Sequence, residues 1–168
     1  MKQTFWAFLI GYLALAQVAS AEALKQGASA VFFGITFIDT STEGAYQGPR
    51  DDEAARVKML SDYVVQQFTE QGFTLLDSAP VQKDIDRIAN PADCNACDVL
   101  MARKLGADYS IVGEVQKVSN LILSMNLVVR EAESGAMAKG LSVDIRGNND
   151  ESWLRGMKYI LRNNTFKE

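Results

Sequence analysis

The stretch YSIVGEVQKVSNLILSMNLVVREAESGAMAKGLSVDIR, residues 109–146, decides the fold. From Tyr109 onward apolar and polar residues alternate with a period of two, the mark of strands that bury one face and solvate the other. Turn signals at Ser119-Asn120 and Ser134-Gly135 divide the stretch into three strands. These run from Tyr109 to Val118, on to about Ala132, and on to Ile145, as an antiparallel meander. Leu121, Leu123, Met125, Leu127 and Val129 share one face. Ser124, Asn126 and Arg130 share the other, in line with Ser142, Asp144 and Arg146, and Glu114 and Gln116 join them.

On the amino-terminal side the pattern changes. Ala30 to Ile38 is continuously apolar and rich in β-branched and aromatic residues, as a buried central strand should be. Asp39 to Asp52 reads as a loop broken by Gly44, Gly48 and Pro49. Val57, Leu60, Val64 and Phe68 then recur at helical spacing in a segment that stops at Gly72. Phe73 to Leu76 is a short strand. Ser78 is placed to cap a second helix with Val81, Ile85 and Ile88 on one face, ending before Pro91. A cysteine-bearing loop leads into a short helix from about Asp98 to Leu105, closed by Gly106. After the meander, Asn148 reads as the cap of a last helix with Trp153, Met157 and Ile160 on its buried stripe. The order β-α-β-α-α-β-β-β-α implies an α/β (α+β) domain: a mixed sheet of about five strands, with the three-strand meander at the carboxyl end, packed on about four helices.

The first 21 residues read as a signal peptide. Lys2 supplies a short positive segment, Phe5 to Ala16 an apolar one, and Ala19-Ser20-Ala21 the small residues at a cleavage site. Twelve apolar residues fall short of the ~20 that span a bilayer, so no stable membrane span is expected after cleavage. Residues 22–168 are then one domain in the periplasm or outside the cell. The absence of a cysteine near the cleavage point speaks against a lipid anchor.

Charge and composition narrow the function classes. The chain has 17 Lys and Arg against 21 Asp and Glu, and the leader holds one of the basic residues and none of the acidic ones. An acidic domain without a basic face is not expected to bind nucleic acid. There is no histidine, which removes histidine ligation and the serine-histidine-aspartate arrangement together. No phosphate-cradling glycine motif occurs, and no cofactor is expected.

Cys94 and Cys97, in the order Cys-Asn-Ala-Cys, leave three readings open. In an oxidising compartment the default is a structural disulfide. A redox-active pair is the sharper alternative, because a Cys-x-x-Cys at a helix start can lower a thiol pKa. Asp98 beside Cys97 argues against it, with Arg103 and Lys104 more than a turn away. A metal site would need ligands that two thiolates alone do not provide. The polar set Glu114, Gln116, Asn126, Arg130, Asp144 and Arg146 is a candidate binding patch, set against the ordinary solvated face of an antiparallel sheet. Within it, Glu114 and Asp144 are the one carboxylate pair to inspect for hydrolysis, provided both face one pocket.

Four segments carry a family resemblance: Phe37-Ile38-Asp39-Thr40-Ser41; Gly106-Ala107-Asp108; Val115-Gln116-Lys117-Val118-Ser119-Asn120-Leu121-Ile122-Leu123; and Asp144-Ile145-Arg146-Gly147-Asn148 with Glu151-Ser152-Trp153. The chain resembles an uncharacterised family of secreted bacterial proteins, a domain of unknown function that brings no catalytic residue with it. More distantly it is similar to the periplasmic domain of the curli secretion protein and to the amino-terminal domain of the Tol propeller protein. The resemblance implies an accessory or binding role through protein–protein interaction in the envelope, more readily than an enzyme. It also hints at a setting near periplasmic quinoprotein dehydrogenases. The alternative is a thiol-disulfide exchange protein using Cys94 and Cys97.

Overall fold

In the computed structural model, which describes residues 23–167, the meander is present as β3 (Tyr109–Lys117), β4 (Ile122–Glu131) and β5 (Met137–Arg146). The leader, residues 1–21, lies outside the described residues. β1 (Ser29–Asp39) and β2 (Thr74–Leu75) complete a five-stranded mixed sheet in the order β2-β1-β3-β4-β5. β1 runs parallel to both β2 and β3, and the other two pairings are antiparallel.

Helices cover both faces. α2 (Asp51–Glu70) and α5 (Asp150–Ile160) pack on one face, where Leu60, Val64 and Phe68 meet Leu123, Met125, Leu127, Val129, Trp153, Met157 and Ile160. α4 (Cys97–Lys104) lies on the other, where Met101 and Ala102 join Val81 against Val31, Phe33 and Val112. The apolar stripes expected on α2 and α5 are buried, apart from Val57, which is half-buried at the edge of the core. Leu121 is not: it sits in the β3–β4 turn and is 72% exposed.

A bulge in β1 decides which side chains face α2. The register with β3 slips between Phe32 and Ile35, around Gly34 at φ +89°, a backbone angle that side chains with a Cβ rarely adopt. Ahead of the bulge, Val31 and Phe33 face α4; beyond it, Ile35 and Phe37 face α2. An unbroken alternation would keep Phe33, Ile35 and Phe37 on one side.

Local boundaries differ from expectation in four places. The loop of residues 39–52 contains a helix, α1 (Thr42–Gln47), started by Ser41, whose Oγ accepts from the Gly44 amide at 3.0 Å. The helix expected after Ser78 shrinks to a 3₁₀ turn, Ala79–Val81, and the single turn α3 (Gln82–Ile85). Its first free amide, Ala79, is taken by Asp77 at 2.9 Å and not by Ser78. The cap of α5 is Asn149, which accepts from the Ser152 amide at 3.0 Å, leaving Asn148 free for another task. Past Ile160, α5 continues as a π-helical turn, Leu161–Thr165, which brings Phe166 against Phe68 and Phe73.

Candidate functional site

β1 and β3 end side by side. Their last residues, Asp39 and Lys117, are register partners, and the Thr40 amide and hydroxyl both donate to the Lys117 carbonyl, at 2.9 and 3.0 Å. From β1 the chain reaches β2 through α2 on one face of the sheet, and from β2 it reaches β3 through α4 on the other. In open sheets with parallel strands, ligands settle in the crevice beyond the strand ends where successive connections take opposite faces.

A buried ionic network occupies that place. Lys117 is completely buried, and its Nζ donates to Asp39 Oδ2 at 2.9 Å and to Glu53 Oε1 at 2.8 Å. Glu53, in the first turn of α2, has a side chain only 2% exposed. Asn148 donates its Nδ2 to the same Glu53 oxygen at 2.6 Å, and its Oδ1 accepts from Trp153 Nε1 at 3.0 Å. Asp39 Oδ1 accepts from the Ser41 amide at 2.8 Å and hydroxyl at 2.5 Å. The ends of β1 and β3, the cap of α1, the first turn of α2 and the residue ahead of the α5 cap therefore meet at one point.

The network holds its charges. Burial pushes the Asp39 carboxyl up, but hydrogen bonds from Ser41 and Lys117 outweigh it and leave the group below the usual carboxylate range. Burial pushes the Lys117 ammonium down, and Glu53 and Asp39 outweigh that, so its pKa is raised. A group held this firmly in one state is suited to fixing charge and shape, not to moving protons.

Above the network opens a cleft of about 680 Å³ between β1, α1 and the start of α2. Asp39, Ser41 and Glu53 line its floor, and Phe37, Ala45, Pro49, Ala54 and Val57 supply apolar wall. Gly44 is required here, because a Cβ on it would come within 2.3–2.6 Å of the Asp39 carboxyl group. A larger groove of about 890 Å³ runs between α2 and α5 past Tyr63, Leu154 and Lys158. Among the described residues no network comparable to that of Lys117 underlies it, and the smaller cleft is the better candidate.

The residues singled out from sequence fall elsewhere. Cys94 and Cys97 are joined by a disulfide, with Cα atoms 5.5 Å apart, and Cys97 begins α4. Asp98 behind it is buried, accepts from Ser110 Oγ at 2.7 Å and lies 3.8 Å from Arg130 Nε. Arg130, on the same sheet face as Asn126, supplies from β4 a cation that sequence spacing did not place near Cys97. Glu114, Gln116, Asn126 and Asp144 do share the sheet face covered in part by α4, in the register pairs Glu114–Asn126 and Ser124–Asp144. Glu114 is tied to the cysteine loop by Asn90, which donates to it at 2.6 Å. Arg146 stands at the exposed end of β5. Glu114 lines a hollow with Asn126 and Ser142, whereas Asp144 and Arg146 line a different one beside α5. The two carboxylates share no pocket, and the hydrolytic pairing is discarded. Among the described residues no three His, Cys, Asp or Glu side chains form a metal-binding group.

The family whose model is described as "Protein of unknown function (DUF2380)", DUF3280, matches residues 28–165. The chain belongs to that family. The matched span contains every residue of the Lys117 network and both cysteines. No curated protein matches the chain. Among solved structures, the LpoB C-terminal domain from Salmonella enterica is similar at 13% identity and TM-score 0.53, over 75% of this chain and 87% of that one. Lipoprotein GNA1162 from Neisseria meningitidis is similar at 15% identity and TM-score 0.51, over 81% and 94%. The LpoB C-terminal domain from Escherichia coli is similar at 12% and 0.52, over 74% and 86%. At these identities the likeness is one of fold. No described helix is long and apolar enough to cross a membrane.

Proposed function

We propose that this member of the family is exported, loses residues 1–21, and acts in the periplasm as a non-enzymatic accessory protein that binds a protein partner in the cleft over Lys117. The observation that carries the reading is the cleft itself: apolar walls over a floor of fixed charge, at the sheet position where such folds take ligands. A lipoprotein among proteins of this fold supports an envelope setting. A quinoprotein dehydrogenase as partner gains no support from the fold or from the network.

The test is affinity capture from periplasmic extract with the processed protein, its Ala54→Trp variant and its Ser124→Lys variant. Ala54 is exposed on the cleft wall, and Ser124 lies on the opposite sheet face. A partner retained by wild type and Ser124→Lys, and lost with Ala54→Trp, is the expected result. Equal retention by all three sinks the cleft reading.

A second reading is favoured by one specific feature: the Cys94–Cys97 disulfide sits at the start of α4, where helix termini lower thiol pKa values, and Arg130 offsets the Asp98 charge that argued against it. Equilibration in glutathione buffers, read by intact mass, separates a structural bridge from an exchanging one. A reduction potential below about −300 mV marks it as structural and removes the exchange reading.

A further inference from the structure

We infer that the outer edge of β5, residues 140–146, takes an added antiparallel strand from another protein: an extended segment with an acidic side chain opposite Arg146, a basic one opposite Asp144 and an apolar one between them that faces α5. The inference goes beyond the cleft reading and does not depend on it.

Backbone hydrogen bonding is the first argument. β5 closes one side of the sheet, and among the described residues it pairs with β4 alone. The bonds at the two ends of β4 set its phase. Toward β3, the Val118 amide donates to the Ile122 carbonyl at 3.0 Å and the Ala132 amide to the Asp108 carbonyl at 2.8 Å. Toward β5, the Gly147 amide donates to the Leu121 carbonyl at 3.0 Å and the Glu131 amide to the Ala136 carbonyl at 2.9 Å. Even-numbered residues of β4 therefore bond to β3 and odd-numbered ones to β5. Leu141, Val143 and Ile145, the register partners of Leu127, Met125 and Leu123, spend their backbone groups on β4. Gly140, Ser142 and Asp144 turn their N–H and C=O groups outward, where no described residue meets them. Arg146 has the same parity, and its carbonyl is met from outside by Ser152 Oγ at 2.8 Å. A row of free donors and acceptors at strand spacing is matched by another extended chain.

Charge is the second argument, and it is independent of the first. Asp144 and Arg146 are exposed, and their register partners on β4 are the uncharged Ser124 and Ile122. Among the described residues neither forms an ion pair. An antiparallel strand along the edge sets one residue opposite each and can supply both counter-charges. The third argument is shape. Between the edge and α5 lies a hollow of about 500 Å³, where Val143, Ile145, Gly156 and the half-exposed Tyr159 offer apolar wall to the alternate side chain of the added strand. Arg155 at its rim already faces Glu151, at 3.4 Å. A second copy of this chain meets the edge less well. Antiparallel pairing of two β5 strands about Ser142 sets Asp144 opposite Gly140 and Arg146 opposite Ala138. The register that sets Asp144 opposite Arg146 overlaps the two strands only at their last residues.

The capped peptide Glu-Val-Lys-Val-Thr-Val presents the matching order from Arg146 back to Leu141, and Lys-Val-Glu-Val-Thr-Val exchanges its charges. Each is titrated into the processed protein and followed through the backbone amides of β5. In the free protein the Ser142 and Asp144 amides are expected to exchange with water at least about tenfold faster than those of Leu141 and Val143, and the matched peptide is expected to protect them. It should bind about tenfold more tightly than the exchanged one, since two cross-strand pairs turn from attractive to repulsive. N-methylation of the peptide lysine, whose N–H faces Asp144, is expected to abolish binding, and N-methylation of the valine before it to leave binding in place. Ser142→Pro removes an outward N–H at an edge position where proline is accepted, and it is expected to abolish binding. Because that variant can still unfold, the Asp144→Lys, Arg146→Glu double variant serves as the second: it is expected to prefer the exchanged peptide. Equal exchange of the four amides, failure of the matched peptide to bind, equal binding of the two peptides by wild type, or an unchanged preference in the double variant overturns the inference. Protection of Ser142 and Asp144 that grows with protein concentration, without peptide, assigns the edge to a second copy and overturns it as well.

Discussion

Replacing Lys117 by Met removes one ammonium and strands two carboxylates, while the methionine keeps an unbranched apolar stem in the same space. Breaking a buried ion pair by deleting one partner costs about 3–5 kcal/mol, because the remaining charge stays out of water without compensation. Glu53 is the charge at issue, with a side chain 2% exposed. It keeps the Asn148 donor at 2.6 Å, and Asp39 keeps both donors from Ser41, so the lower end of that range, about 3 kcal/mol, is expected. A domain stable by 5–15 kcal/mol survives the loss, which makes urea unfolding of the processed, oxidised protein a workable assay. One further signature separates this mechanism from ordinary core damage. Adding Glu53→Leu should recover much of the loss, with a coupling of at least about 1.5 kcal/mol in the double-mutant cycle. A deficit under about 1 kcal/mol, or additive single and double mutants, would refute the reasoning.

Gly44→Ala should lower stability by about 1–3 kcal/mol, since its Cβ meets the Asp39 carboxyl and must displace it; thermal unfolding checks this, and a neutral outcome means α1 is free to shift. The Cys94→Ser, Cys97→Ser double variant should lose only about 1–2 kcal/mol in chemical denaturation, because the bridge closes a very short loop whose Asn95 and Ala96 sit at positive φ. The network's pH window follows from its two shifted groups. Asp39, with its lowered pKa, contributes fully above the ordinary aspartate value of about 3.9 and loses its contribution as pH falls through the folded-state value below that. Lys117, with its raised pKa, contributes fully below about 10.4 and loses its contribution as pH rises through its folded-state value. The stability gap between wild type and Asp39→Asn should therefore be flat through neutral pH and narrow only below about pH 4, read by denaturant titration at each pH.

The sheet and its helices were legible because their periods are strong: two through β3 to β5, and 3.6 along α2 and α5. Of the short elements, β2 was expected at Phe73 to Leu76 and is Thr74–Leu75, whereas α1 was read as loop and α3 as a longer helix, since at six and four residues they are too short for periodicity to register. The Lys117 network was missed as a site, although both of its main charges stand in phase with apolar stripes. Lys117 has the same parity as Ile111 and Val115, and Glu53 precedes Val57, Leu60, Val64 and Phe68 at helical spacing. Opposite charges on two buried stripes are a readable sign of a buried pair. What sequence could not yield is the bulge at Gly34. Without knowing that the register slips there, Asp39 cannot be assigned to the α2 face, and the third member of the cluster is invisible.

The two functional readings occupy opposite faces of one sheet, and the family match contains the residues of both. Of the four segments that carried the resemblance, three supply the network: Asp39 and Ser41 from the first, Lys117 from the third, and Asn148 with Trp153 from the last. The second, Gly106-Ala107-Asp108, does a different task at the far end of β1, where Asp108 accepts from the Ser29 amide and hydroxyl and fixes the start of the strand. The resemblance also takes in the Cys94–Cys97 loop, and the family match over residues 28–165 contains the residues of both readings. Asp39 and Lys117, 78 positions apart along the chain, meet with Glu53 and Asn148 to close one structure, the floor of the cleft. Well-packed apolar residues would be at least as stable in that place, so stability alone does not account for so polar an arrangement.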